Sequence, residues 1–113
     1  MPLLKFISIP LLCSASAFGQ WPDSPNFNLQ ICGASGEQAI SKIVATQDGG
    51  CYVSWFDNRD GGYDVYMQRL DALGNPMWAN DGILIADRSY SWTMDFDLDI
   101  DSLGNAVVVY RKN

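Results

Sequence analysis

The tightest constraint on this chain is that it repeats itself. A shift of 55 residues lays Gly49-Gly50-Cys51-Tyr52-Val53-Ser54-Trp55 over Gly104-Asn105-Ala106-Val107-Val108-Val109-Tyr110. In the same register Lys42 meets Asp97, Ile43 meets Leu98 and Ala45 meets Ile100. A shift of 54 lays Asn28-Leu29-Gln30-Ile31-Cys32 over Gly82-Ile83-Leu84-Ile85-Ala86, and each run follows a tryptophan, Trp21 or Trp78. Copies of one unit confine a chain to architectures in which like units stack, because a single unit cannot bury both of its faces.

The unit is built of strands. Apolar runs are short and broken by turn residues, and no window sustains a period of 3.6 residues. The pattern predicts strands at Asn28–Cys32, Ile40–Thr46, Cys51–Phe56, Tyr63–Leu70, Pro76–Trp78, Gly82–Ala86, Thr93–Asp101 and Ala106–Arg111. Asp48-Gly49-Gly50 and Asp60-Gly61-Gly62 offer positive-φ positions for hairpins. Asp71-Ala72-Leu73-Gly74-Asn75 reads as a type I turn closed by a left-handed glycine, and Asp101-Ser102-Leu103-Gly104-Asn105 repeats that chemistry. A repeat of ~50 residues with about four strands has the size of a propeller blade. The expected fold is therefore all-β: antiparallel, four-stranded, blade-like repeats in an incomplete ring. Asn28–Cys32 matches the last strand of the repeat, as expected of a strand that closes such a ring.

The expected organisation is a leader at 1–19, an extended lead-in and outer strand at 20–35, a first repeat at 36–90 and the start of a second at 91–113. Met1–Lys5 gives a short positive region, Phe6–Cys13 an apolar one too short to span a bilayer, and Ser14–Gly19 small residues. This is the pattern of a secretory signal peptide, with cleavage after Ala17 or after Gly19. A buried strand or a hairpin of the domain is the competing reading. A lipidated Cys13 is disfavoured by Leu12, which stands where a small residue belongs. The expected destination is the cell surface or the medium.

Composition narrows the function. The formal charge is −6, and there is no histidine. An acidic chain without a basic cluster is a poor ligand for nucleic acid or for anionic lipid. Without histidine there is no Ser-His-Asp triad, Cys-His pair or His-ligated zinc within these residues. Cys32 and Cys51 either pair as a disulfide in an oxidising compartment or stay as thiols in apolar strands.

Three groups carry candidate chemistry. In Met94–Asp101, Asp95, Asp97, Asp99 and Asp101 alternate with apolar residues, which puts four carboxylates on one strand face. They read as a calcium site, as a solvated face or one paired with basic residues of a neighbouring repeat, or as paired catalytic carboxylates. Same-face neighbours lie ~7 Å apart, so two aspartates suit one ion and four do not. Asp57 and Arg59 follow Trp55 and read as a ligand-facing acid and base or as a structural turn, with Asp57 capping loop amides and Arg59 pairing with an acid nearby. Tyr90 and Trp92, in a loop, are the aromatics best placed to stack on a ligand, whereas Trp55, Tyr63, Tyr66 and Trp78 suit packing.

Gly50–Arg59 with its Trp-Phe-Asp-Asn-Arg, Tyr63–Asp71 with its Asp-Val-Tyr-Met-Gln-Arg-Leu-Asp, and Gly74–Trp78 resemble a repeat of large secreted bacterial proteins similar to sialidase-like β-propellers. Thr46-Gln47-Asp48-Gly49-Gly50 is similar to the Asp-box turn of sialidases, with its tryptophan displaced to Trp55. The resemblance covers nearly all of the chain after the leader and implies a piece of a longer array. That fold hosts binding modules and hydrolases alike. The expected role is a non-catalytic module for carbohydrate or surface-protein interaction, without nucleic acid or a membrane span. Self-association that completes the β-array is a further expectation. A fragment of a sialidase-type glycoside hydrolase, or a truncated product without its own function, are the alternatives.

Overall fold

The computed structural model describes residues 21–88 and 95–112, and these are all-β, with no helix. Four strands, β1 (Gln38–Ala45), β2 (Cys51–Asp57), β3 (Asp64–Leu70) and β4 (Ile83–Ala86), form an antiparallel sheet in chain order. Two more, β5 (Phe96–Ile100) and β6 (Ala106–Tyr110), form a separate hairpin. The central strands β2 and β3 are buried along nearly their whole length. The largely apolar and aromatic run of β2 suits a strand covered on both faces, β3 buries Asp64 and Gln68 among its apolar residues, and β1 alternates.

Each face of the sheet has its own cover. Tyr52, Ser54 and Phe56 share one face by strand alternation, and the hairpin packs there. Phe56, Val65, Ala86 and Phe96 form the core cluster, with Tyr63 and Val108 against it. The Phe56 and Phe96 rings meet edge-to-face at 4.8 Å, an arrangement worth about 1 kcal/mol beyond area burial. The Tyr52 hydroxyl donates to the Gly104 carbonyl at 2.9 Å and ties the hairpin turn down.

The opposite face carries Cys51, Val53, Trp55 and Asp57, and the lead-in segment lies across it. The Trp21 indole donates to the Ala72 carbonyl at 2.9 Å. Trp21 and Leu29 crowd Gly74, which sits at φ +83. Gln30, Ile31 and Cys32 line a cleft with Val53 and Trp55.

Here the sequence expectation needs correcting: Asn28–Cys32 is not a strand. Its alternation is real, but no neighbouring edge is paired to it, so its side chains serve as a cover over a sheet face. Pro76–Trp78 likewise shrinks to a single bridge, Leu70 to Pro76. The second hairpin connection is longer than a tight turn: Asn58–Tyr63 links β2 to β3, closed by Gly61 donating to the Asn58 carbonyl at 2.9 Å.

The two aspartate-led turns share one hydrogen-bond pattern. Asp71 Oδ1 accepts from the Leu73 and Asn75 amides at 2.9 Å, and Oδ2 accepts from the Asn75 side chain at 3.1 Å. Asp101 does the same for Leu103 and Asn105 at 2.8 to 2.9 Å. In both, the glycine donates back to the aspartate carbonyl.

Candidate functional site

The charged residues after Trp55 gather at the end of β2. Asp57 has 0% of its surface exposed. One oxygen, Oδ2, accepts from the Trp55 indole at 2.9 Å and from the Arg59 guanidinium at 2.6 Å. The other accepts from the Arg59 amide at 2.9 Å. Burial alone would raise the Asp57 carboxyl, but the hydrogen bonds from Arg59 and Trp55 outweigh it and hold the group below the ordinary range. The same bond to Asp57 raises Arg59 further above its ordinary value.

Arg59 is anchored through one guanidinium nitrogen and through its flat face, while its buried Nε has no hydrogen-bond partner among the described residues. Its NH2 also donates to the Asp81 carbonyl at 2.9 Å and to Cys32 Sγ at 3.4 Å. Its carbon lies 3.9 Å from the centre of the Tyr66 ring, a cation–π contact. Tyr66 donates in turn to Asp60 at 2.8 Å, and burial together with that bond pushes its hydroxyl up to about 12. Asp57 thus caps a loop amide and Arg59 pairs with an acid, as the structural-turn reading has it, and that acid is Asp57 itself, which the sequence did not single out.

Gln68 does the equivalent work one strand over. Its amide donates to the Ala79 carbonyl at 2.8 Å and its oxygen accepts from the Trp78 amide at 3.0 Å. At the β1–β2 turn, Thr46 donates to Asp48, and the Gly50 amide donates to the same oxygen at 3.1 Å. Asp48 is lowered by the Thr46 bond first and the Gly50 bond second.

The acidic strand behaves differently. Asp97 and Asp99 project from β5 away from the core, and each accepts from the following amide, Leu98 at 2.9 Å or Ile100 at 2.8 Å. Asp97 meets Lys42 at 3.4 Å, and its side chain is 80% exposed. Asp95 is exposed, and Asp101 is spent on its own turn. Among the described residues no three carboxylate, cysteine or histidine groups converge as a metal would require. Tyr90 and Trp92 lie outside the described residues.

Cys32 and Cys51 are free thiols. Cys32 lies 4.0 Å from Asp57, at one end of β2. Cys51 begins that strand, six residues away and about 20 Å along it. A disulfide between them does not fit this geometry.

Two features had no distinctive sequence signal. Arg88 is 1% exposed, with its guanidinium 4.7 Å from the Phe56 ring centre and Nε donating to the Arg111 carbonyl at 2.9 Å. Burial pulls it below its ordinary value. Nothing in the sequence separates it from a surface arginine. The second is a groove of about 470 Å³ lined by Tyr52, Met67, Trp78 and Ile85 from the sheet side and by Ala106 and Val108 from β6. No helix among the described residues is long and apolar enough to cross a membrane. Comparison with models of protein families, with curated proteins and with solved structures finds no match.

Proposed function

We propose that this chain is a non-catalytic module of an exported, β-propeller-like array that works in carbohydrate or protein interaction at a bacterial surface. One observation carries the non-catalytic part. Both Asp57 oxygens and the Arg59 Nη2, in the acid and base that follow Trp55, spend their hydrogen bonds on each other and on the surrounding fold. A general acid or a substrate clamp needs its polar atoms turned toward a ligand. The four-stranded meander with a hairpin laid across one face supports the array reading, since blade-like sheets pack in that manner.

The glycoside hydrolase remains the second reading, because of Asp64. It stands opposite Asp57 in the β2–β3 register, and burial raises its carboxyl while Asp57 is lowered. Carboxylates pushed apart in this way can divide acid and base work. Against that, Asp64 is 6% exposed and accepts from the Arg88 amide at 2.7 Å. The test is a turnover assay of the full chain on fluorogenic glycosides, a sialoside among them, beside a glycan array. Binding without turnover is expected. Turnover that disappears in Asp64→Asn overturns the proposal in favour of the hydrolase.

A further inference from the structure

We infer that the cleft between β1 and the lead-in segment binds one neutral sugar ring of a glycan, held by the side chains of Gln30, Gln38 and Ser41 over an apolar floor. The site rests on the interaction reading and names its ligand class.

The cleft exists because β1 is irregular. Ala39 pairs with Phe56 and Lys42 with Ser54, so Ile40 and Ser41 together stand opposite the single residue Trp55. Such a bulge breaks the alternation that would send Ile40 and Ser41 to opposite faces. Both line the cleft, on the side of the sheet that carries Val53 and Trp55. Ile40 sits at φ +50, where a β-branched side chain is strained. It is also 45% exposed, so burial does not repay the strain. Backbone held in this way gathers at sites that must present a fixed geometry to a ligand.

The lining selects the ligand. The cleft holds about 340 Å³, at the small end of the range for ligand sites, and no residue that lines it is charged. A sialic acid, a phosphate or a nucleotide would find no counter-charge there. The polar groups are two amides and a hydroxyl, each able to donate and to accept. Gln30 and Ser41 are exposed, and their side chains make no hydrogen bond to another described residue. Gln38 turns its Nε2 toward Asp57 at 3.4 Å, which leaves Oε1 as an acceptor. Ile31, Ile40 and Val53 supply the apolar surface between these groups. A pyranose offers the matching pair of properties. Its hydroxyls both donate and accept around the rim, and its faces carry C–H groups. A wholly apolar molecule would match the floor and leave the amides and the hydroxyl unused.

The probes are the methyl glycosides of glucose, galactose, mannose and N-acetylglucosamine, titrated into the full chain. The readout is the side-chain amide signals of Gln30 and Gln38 by NMR, with a thermal melt of each variant. Saturable shifts at both amides are expected with at least one glycoside, at a Kd on the order of 1 mM. Gln30→Ala and Ser41→Ala are each expected to weaken that binding about fivefold at an unchanged melting midpoint, since neither side chain bonds the fold. Ile40→Gly removes the strain and is expected to raise the midpoint while it weakens binding. No saturable shift with any of these glycosides overturns the site, as does an affinity unchanged in every variant. Tighter binding of a methyl sialoside or of glucose 6-phosphate overturns the neutral class. Equal binding of cyclohexanol, a ring with a single hydroxyl, overturns recognition through the rim. Binding on a glycan array while both amides stay still overturns this site and leaves the interaction reading standing. Turnover in the glycoside assay overturns the interaction reading instead, so the two failures are told apart.

Discussion

At the scale of single residues, the polar groups inside the sheet divide into satisfied and unsatisfied ones, and the two respond oppositely to deletion. Asp57→Asn leaves the Arg59 charge facing a neutral amide, with only 18% of its side chain exposed. The expected loss is about 3 kcal/mol, read by urea unfolding. Ser54 is the converse: its hydroxyl is buried and has no hydrogen-bond partner. Ser54→Ala is expected to raise stability by about 1 kcal/mol, again by urea midpoint. Gly82 sits at φ +82, and a Cβ there would come within 2.6 Å of the Trp55 ring. Gly82→Ala is expected to cost about 2 kcal/mol and to shift the Trp55 emission. The sequence showed the Asp57–Arg59 spacing and thus both of its readings. Which one holds depends on Cys32, Tyr66 and Asp81, and no local pattern brings residues so distant in sequence around Arg59.

At the scale of elements, turn chemistry was legible and cover was not. Asp71–Asn75 and Asp101–Asn105 close through the aspartate, glycine and asparagine that marked them in the sequence, because those contacts lie within four residues. Strands β1 to β6 fall within a few residues of their expected positions for the same reason, since alternation is a local property. Asn28–Cys32 has an equally good alternation and is not a strand, because strand character also needs an edge to pair with. The hairpin is held chiefly through Phe96, which is 7% exposed. Phe96→Ala is expected to cost about 3 kcal/mol and to speed amide exchange in β5 and β6 while β2 and β3 stay protected. Uniform acceleration across both sheets would instead show that sheet and hairpin unfold as one unit.

At the scale of the whole molecule, stability should fall in acid. Asp48, Asp57, Asp71 and Asp101 are all held below the ordinary carboxylate value in the fold. Their contribution is complete above that value, near pH 4, and is lost as pH falls through the lowered ones. Asp64, raised by burial, has the opposite sign and gains as it takes up a proton. The melting temperature is expected to be flat from about pH 7 to 5 and to drop below about pH 4, with a shallower drop in Asp57→Asn. Calcium is expected to leave the midpoint unchanged, since Asp97, Asp99 and Asp101 already serve backbone amides. Lys42 and Asp97 carry a different kind of consequence. They occupy the same position in the 55-residue register, and they touch each other. A charged position that contacts its own counterpart is not copied without cost, because duplication sets like charge against like. Replacing Asp97 with lysine, as an exact duplicate or an averaged consensus would, brings two ammonium groups together at a cost of up to about 1 kcal/mol. Divergence at this position is what keeps opposite charges facing each other between sheet and hairpin.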